Sequence, residues 1–520
     1  MRLPDSAPFT AEQRTWLSRL LADCLASSVA LGHSGASSPT RPATAEPAPW
    51  HDMTLPIEER MKLAEGRLRR DRLYAAMGQQ DCGQCGYDCK DYAAALNDNR
   101  ETDTTRCVPG GRETRRLIKL LLVEADDASA ASTTPRTITR PDTVTENATE
   151  KTGSSRDNPV IATFRRRARL TRASSDRVTS EVAFELTTEH GGYAAGDALG
   201  VMVANEPFLV ARMLARLDAH PDDLMNHQGR AISARELLTT QLDLNESSDA
   251  LLELLGRSAS SGDQAALATL AAQGPERGCD VLELLERFPA ITLDLASFQK
   301  TALPLQPRLY SISSAPSLFP LETHLVVGLV SYQRGNRQRS GVASGCLTER
   351  LRDGAKVPVF IHSNPGFRLP DGDRDLIMIG PGTGVAPFLS FIDERRARGH
   401  RGRNWLFFGN PRRRSDYLYE ERLQRYVDEG SLAAMDLAFS RDTDMKVYVQ
   451  HRMQEQSARL WQWIDRGAVL AVCGDASRMA VDVHAALLAL IEEHRGCSPD
   501  DAQAYVRQMA TDGRYLRDCY

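Results

Sequence analysis

Cys82-Gly83-Gln84-Cys85-Gly86-Tyr87-Asp88-Cys89, followed by Cys107-Val108-Pro109-Gly110-Gly111, sets four thiols at a C-x2-C-x3-C-x17-C spacing. The first three thiolates can converge on one centre, because Gly83 and Gly86 permit the tight backbone path. The fourth arrives beside a proline, as it often does at iron–sulfur ligands. A 4Fe-4S cluster fits this pattern. Zinc competes for it, although zinc sites usually arrange their ligands as two separated pairs, and merely structural thiols are the third reading. Cys24, Cys279, Cys346 and Cys497 stand alone in the sequence, and each reads as a small buried hydrophobe.

A second chemistry is offered by Arg308-Leu309-Tyr310-Ser311-Ile312-Ser313-Ser314. Arg308 presents a planar fork of donors that suits a diphosphate. Tyr310 offers a flat aromatic face, and Ser311 a small hydroxyl at the reactive edge of whatever ring lies there. The run suits an FAD isoalloxazine; by itself such a run is more often a paired surface strand. Gly341-Val342-Ala343-Ser344, ahead of a helix-like stretch, could bind the anionic part of the same ligand.

Ile379-Gly380-Pro381-Gly382-Thr383-Gly384 leaves a strand pattern and enters a helix pattern, with glycines that let the backbone approach a diphosphate. Ser440-Arg441 and Lys446-Val447-Tyr448-Val449-Gln450 place a hydroxyl, a guanidinium, an ammonium and a phenol in one short stretch. Together they could hold a phosphate monoester and select NADPH over NADH, whereas Asp442 and Asp444 would suit a free ribose hydroxyl. A solvated charged loop is the alternative. Tyr520, the last residue, is an aromatic that could cover a ring.

These groups need several domains to position them. The chain has 520 residues, a net charge of −5 and a hydrophobic share of 42%, enough for about three cores at ~150 residues each. The charge balance argues against nucleic acid and polybasic membrane partners. No apolar stretch reaches the ~20 residues that span a bilayer, and Met1-Arg2-Leu3-Pro4-Asp5 does not open a signal peptide. Clustered thiols in a chain of this size suit a reducing cytoplasm.

The expected organisation is an N-terminal helix and linker (1–49), a small helical iron–sulfur segment (50–124) and a disordered linker (125–157). An antiparallel FAD-binding β-barrel (158–370) follows, with a helical insertion at about 206–290, and then a doubly wound α/β domain (371–520). The apolar residues from Trp16 to Leu25 recur at helical spacing. Residues 125–157 lack the large apolar side chains a core requires. After Asp375, strand and helix patterns alternate, as in a parallel sheet.

Tyr193–Val201, Arg308–Ser311, Gly341–Ser344, Gly380–Phe388, Asn404–Asn410, Ser440–Gln450, Val472-Cys473-Gly474-Asp475 and Tyr515–Tyr520 together resemble the ferredoxin–NADP reductase superfamily. The branch they resemble is that of the NADPH-dependent sulfite reductase flavoprotein components and other diflavin reductases. The resemblance covers roughly residues 158–520. It implies FAD contacts from Arg308 to Ser311, Val326, Val327, Gly328, Tyr332, Gly341 to Ser344, and Tyr520 stacked on the ring. It implies NADPH contacts from Ser440, Arg441, Lys446 to Gln450 and Asp482, with Gly380, Gly382, Thr383 and Gly384 in the cofactor turn. Ser311, Cys473 and Asp518 then surround the hydride path from nicotinamide to flavin.

The front of the chain departs from the branch. No FMN-binding flavodoxin-like pattern is present, so FAD without FMN is expected. The cysteine segment is similar to a small cluster-binding module of some bacterial sulfite reductase alpha subunits. The implied path runs from NADPH through FAD to the cluster held by Cys82, Cys85, Cys89 and Cys107, and on to a sirohaem sulfite reductase haemoprotein. Assimilatory nitrate reductase or another acceptor protein is the alternative, as is an NADPH diaphorase with a zinc-folded docking segment.

Overall fold

The computed structural model describes residues 48–51, 55–80, 85–129, 152–186, 192–370 and 372–520. The expected N-terminal helix and Cys82 lie outside them. Trp50–Tyr520 hold together as one unit.

Four helices build the cysteine segment: α1 (Ile57–Leu63), α2 (Arg69–Ala76), α3 (Cys89–Asn97) and α4 (Gly111–Ser129). Asp88 caps α3 by accepting from the Asp91 N–H at 2.6 Å, so the chain turns into a helix at a cysteine. Ala75, Ala76, Ala93 and Ala95 are buried beside Leu73, Tyr92, Leu96 and Ile118; small side chains let the helices approach closely. α4 runs to Ser129, past the boundary expected at 124. At its other end the expected linker is shorter too. The Ile361 N–H donates to the Gly153 carbonyl at 2.8 Å, and Arg156 Nη1 donates to Gln306 Oε1 at 2.7 Å. The low hydrophobicity of 125–157 concealed both anchors, because they rest on backbone and guanidinium hydrogen bonds and bury no large apolar side chain.

Next come β1 (Val160–Arg169), β2 (Thr179–Glu185) and β3 (Ala198–Val201). A largely helical insertion follows, containing the hairpin β4 (Leu224–His227) and β5 (Arg230–Ser233), and then β6 (Arg308–Ser311), β7 (Glu322–Gly328), β8 (Ser331–Arg334), β9 (Arg337–Ser340) and β10 (Lys356–His362). Six of these strands form an antiparallel sheet in the order β6-β3-β10-β1-β2-β7. Its two outer strands meet: Ile312 bridges Leu325, and the Ser313 N–H donates to the His324 carbonyl at 2.8 Å. Phe164, Phe184, Leu199, Val327 and Val359 fill the interior. The insertion has its own core of Leu209, Met213, Leu214, Leu251, Leu252 and Leu255, at the helical spacing seen in the sequence. It ends later than 290, because the helix Leu295–Thr301 puts Phe298 into the same core.

The C-terminal domain is a parallel sheet of β11 (Leu376–Ile379), β12 (Asn404–Asn410), β13 (Ala434–Phe439), β14 (Val469–Gly474) and β15 (Tyr515–Cys519), in the order β13-β12-β11-β14-β15. β11 is buried throughout, as a central parallel strand covered on both faces should be. Apolar clusters lie on the two sides of the sheet. Strand order reverses at β11, which is where ligands bind in such sheets.

Candidate functional site

The turn after β11 carries the glycines. Gly382 has φ of +60°, a left-handed conformation that favours glycine. A Cβ on Gly384 would lie 2.1 Å from the Cys473 carbonyl oxygen, so this turn sits directly against the end of β14. Gly380 and Gly384 serve that close packing, while Gly382 and Thr383 face cavities.

β14 and β15 pair in parallel with Cys473 opposite Asp518. That register delivers the Asp518 carboxylate to β6 of the antiparallel sheet. Ser311 Oγ donates to Asp518 Oδ2 at 2.6 Å, Cys473 Sγ donates to the same oxygen at 3.6 Å, and Asn364 Nδ2 lies 3.4 Å from Oδ1. Burial pushes the Asp518 carboxyl above its usual range, against the hydrogen bonds from Ser311 and Cys473. Burial also pushes the Cys473 thiol well up, so it stays protonated and acts as a donor. The three residues expected to act together therefore meet, although they come from strands far apart in sequence.

A cavity of about 400 Å³ opens beside them. Arg308, Leu309, Tyr310 and Ser311 form one wall. Val326, Gly328 and the Gly341–Ser344 turn form a second, and Thr383 and Tyr520 a third. Ser344 Oγ accepts from the Val330 N–H at 3.1 Å, which fixes the turn. Tyr520 is tethered by its backbone to Gly474 and Ala476 and by its hydroxyl to Thr383 Oγ1 at 3.0 Å; the residue as a whole is 54% exposed. Arg308 Nη1 is buried without a hydrogen-bond partner. An orphaned guanidinium nitrogen beside an aromatic-lined cavity fits the diphosphate and ring of FAD. Two expected contacts lie elsewhere. Val327 points into the sheet interior by strand alternation. Tyr332 sits on the β8–β9 hairpin against Gly278 of the insertion.

The second cavity, of about 600 Å³, lies at the sheet's carboxyl edge. Ser440, Arg441, Lys446, Tyr448, Val449, Gln450 and Asp482 line it, as expected; Val447 packs toward the core instead. Asp442 does not line this cavity, and its carboxylate accepts from the Arg413 N–H at 3.2 Å. The donors Arg441, Lys446 and Tyr448 thus face the cavity without that carboxylate, a set suited to a phosphate monoester. Sequence reading missed Arg177 and Arg478, which add two more guanidinium groups to the lining. Arg478 had a signal: it follows Asp475, whose Oδ1 accepts its N–H at 2.7 Å and turns it inward.

Cys85, Cys89 and Cys107 are buried and surround one small cavity with Tyr87, Tyr92 and Pro109. The Gly78 N–H donates to Cys107 Sγ at 3.4 Å. Among the described residues, Glu276, Cys279 and Glu283 gather three ligand atoms within 4.8 Å of one another. Glu276 and Glu283 are already engaged by Arg287 and Arg334, which hold both carboxyls down to about 2. They carry no unpaired charge for a cation. Cys279 and Cys346 are buried, as expected of lone cysteines, and Cys497 is partly so.

Residues 153–346 match the FAD binding domain family, and residues 378–485 match the oxidoreductase NAD-binding domain family. The chain is 38% identical over 369 residues to the Sulfite reductase (NADPH) flavoprotein alpha-component of Mannheimia succiniciproducens, covering 70% of this chain and 62% of that one. It is 40% identical over 373 residues to the Salmonella typhimurium protein of that name (70% and 61%). With the Bacillus subtilis one it shares 38% over 384 residues (72% and 63%). The chain thus spans less than two thirds of the length of these relatives. Among the described residues no helix is long and apolar enough to cross a membrane.

Proposed function

On the premise of this likeness to sulfite reductase (NADPH) flavoprotein alpha-components, we propose that the chain is an NADPH-dependent flavoprotein reductase. It takes hydride from NADPH onto FAD and passes electrons singly, through an iron–sulfur cluster at Cys82, Cys85, Cys89 and Cys107, to a sirohaem sulfite reductase partner. The observation that carries this reading is the meeting of Ser311, Cys473 and Asp518 beside a cavity suited to FAD, with a cavity suited to NADPH at the carboxyl edge of the parallel sheet.

When bound, FAD supplies an acceptor for hydride that can release electrons one by one, and the cluster supplies a one-electron carrier. The protein's part is positioning. Arg308 would neutralise the FAD diphosphate, and Tyr310 and Tyr520 would flank the ring in the cavity they both line. Arg441, Lys446 and Tyr448 would hold the 2′-phosphate. Asp518 orients the Ser311 hydroxyl and Cys473 thiol at the reactive edge and shields it from water. Tyr520, half exposed and held mainly by its backbone, can leave the ring when nicotinamide enters.

The C-x2-C-x3-C-x17-C spacing supports a cluster over zinc, since zinc sites usually arrange their ligands as two separated pairs. Anaerobic purification followed by flavin, iron and sulfide quantitation tests the composition. The expected result is FAD without FMN, with iron and acid-labile sulfide in equal amounts. Zinc without sulfide, or FMN bound to the chain, would overturn it.

A further inference from the structure

The flavin-side cavity has a continuation whose far wall comes from a different part of the chain. A space of about 390 Å³ shares Arg308, Leu309, Ser311 and Tyr520 with the first cavity, and it is closed by Gln80, Val108 and Pro109. Val108 and Pro109 directly follow Cys107, whose side chain is buried. The cysteine segment therefore forms part of the wall of the flavin site.

Specific bonds hold it there. Arg112 of α4 donates from Nε to Asp249 Oδ1 at 2.8 Å and from Nη2 to the Ala271 carbonyl at 2.7 Å. Arg115, one turn further along, pairs with Glu246. Both acceptor carboxylates belong to the helical insertion. On the opposite side of the segment Arg156, close enough to feel the charges of Asp103 and Cys85, reaches Gln306 just before β6. Gly274 leaves room for the Arg112 guanidinium, since a Cβ there would lie 2.4 Å from Nη1. Guanidinium groups thus tie α4 of the segment to the insertion, and a third stands near its cysteine loop.

We propose that the cysteine segment is docked as a fixed relay, clamped by Arg112, Arg115 and Arg156, with electrons entering its metal centre through Cys107-Val108-Pro109. This rests on the reductase reading above and adds the route and the fixed geometry. The electron balance is simple. NADPH gives one hydride to FAD. The reduced flavin returns to FAD by releasing one proton and two electrons, and each electron reduces the centre once. The acceptor protein reoxidises the centre between the two arrivals. A tethered module that swings between partners would not need ion pairs to the insertion.

The test uses the full chain carrying Arg112→Glu and Arg115→Glu, and a partner variant that adds Asp249→Arg and Glu246→Arg to restore opposite charges. Hydrogen exchange on chelator-treated protein should show the α4 start and the 244–252 region protected in the wild type. Protection should fall about tenfold or more in the charge-reversed variant, as expected where attraction becomes repulsion, and recover in the swap. On rapid mixing with NADPH, flavin reduction should keep its rate, while reduction of the centre slows and becomes salt-sensitive. Unchanged protection, or unchanged reduction of the centre once protection is lost, overturns the docked relay. Wild-type protein without iron and sulfide would overturn the cluster reading instead, while the exchange measurement would still decide the docking.

Discussion

Asp518→Asn should slow NADPH-driven flavin reduction by about 100-fold, the order of loss that follows when reacting groups are misplaced by ~1 Å, while FAD content stays unchanged. The carboxylate accepts from Ser311 and Cys473 through one oxygen and lies beside the Asn364 amide donor through the other; whichever place the NH2 of an asparagine takes, it sets a donor against one of these donors. Stability should move the other way. Because the native Asp518 pKa is raised by burial, the folded state binds this proton more tightly than the unfolded chain does, so ionisation costs stability. That cost is present above the folded pKa and gone below the unfolded value of ~3.9. Asp518→Asn should therefore be at least as stable as the wild type at neutral pH. The wild-type hydride-transfer rate should fall as pH drops through the raised pKa, and the variant should lack that step. Stopped-flow flavin bleaching across pH, paired with thermal unfolding, reads both. A variant that is slow and also markedly less stable at neutral pH would contradict the role given to Asp518.

Arg308→Ala should yield protein that loses FAD on purification. A charge-assisted hydrogen-bonding group of this kind contributes about 2–3 kcal/mol, or roughly 30- to 150-fold in Kd. Arg308→Lys should recover only part, because the ammonium lacks the two-pronged fork. Among the described residues Arg308 Nη1 has no hydrogen-bond partner, so the flavin-free protein should melt close to the wild-type apoprotein. What should disappear is the gain in melting temperature on adding FAD. Fluorescence titration of the apoprotein with FAD checks the affinity, and wild-type retention by Arg308→Ala would remove Arg308 from the flavin site.

Much of this site was readable from local pattern. Glycines before a helix marked the turn at β11, because close backbone approach leaves few other residues possible. Leu209, Met213, Leu251 and Leu255 marked the insertion by helical spacing, since that core is built from one face of each helix. The parallel sheet showed itself in runs such as Leu376–Ile379, apolar at every position because both faces are covered. What stayed hidden depends on contacts between residues far apart in sequence. Arg112 and Asp249 are 137 residues apart, and each alone looks like an ordinary surface charge. Asp442 seemed to argue against a phosphate, yet it does not line the cavity and its carboxylate faces the Arg413 N–H. Tyr332 was expected as a flavin contact from the family resemblance, but the β8–β9 hairpin leans on the insertion through Arg334 and Arg339 and carries it away from the cavity.

Electron flow through both halves of the chain is tested most directly by one experiment. Oxygen-free protein, loaded with FAD and its metal centre, is mixed with NADPH and freeze-quenched for electron paramagnetic resonance while flavin absorbance is followed. Loss of flavin absorbance should come first, followed by the signal of a reduced iron–sulfur cluster, which disappears in Cys107→Ala. Fully reduced flavin with no cluster signal at any time would contradict an electron path from Ser311 to Cys107.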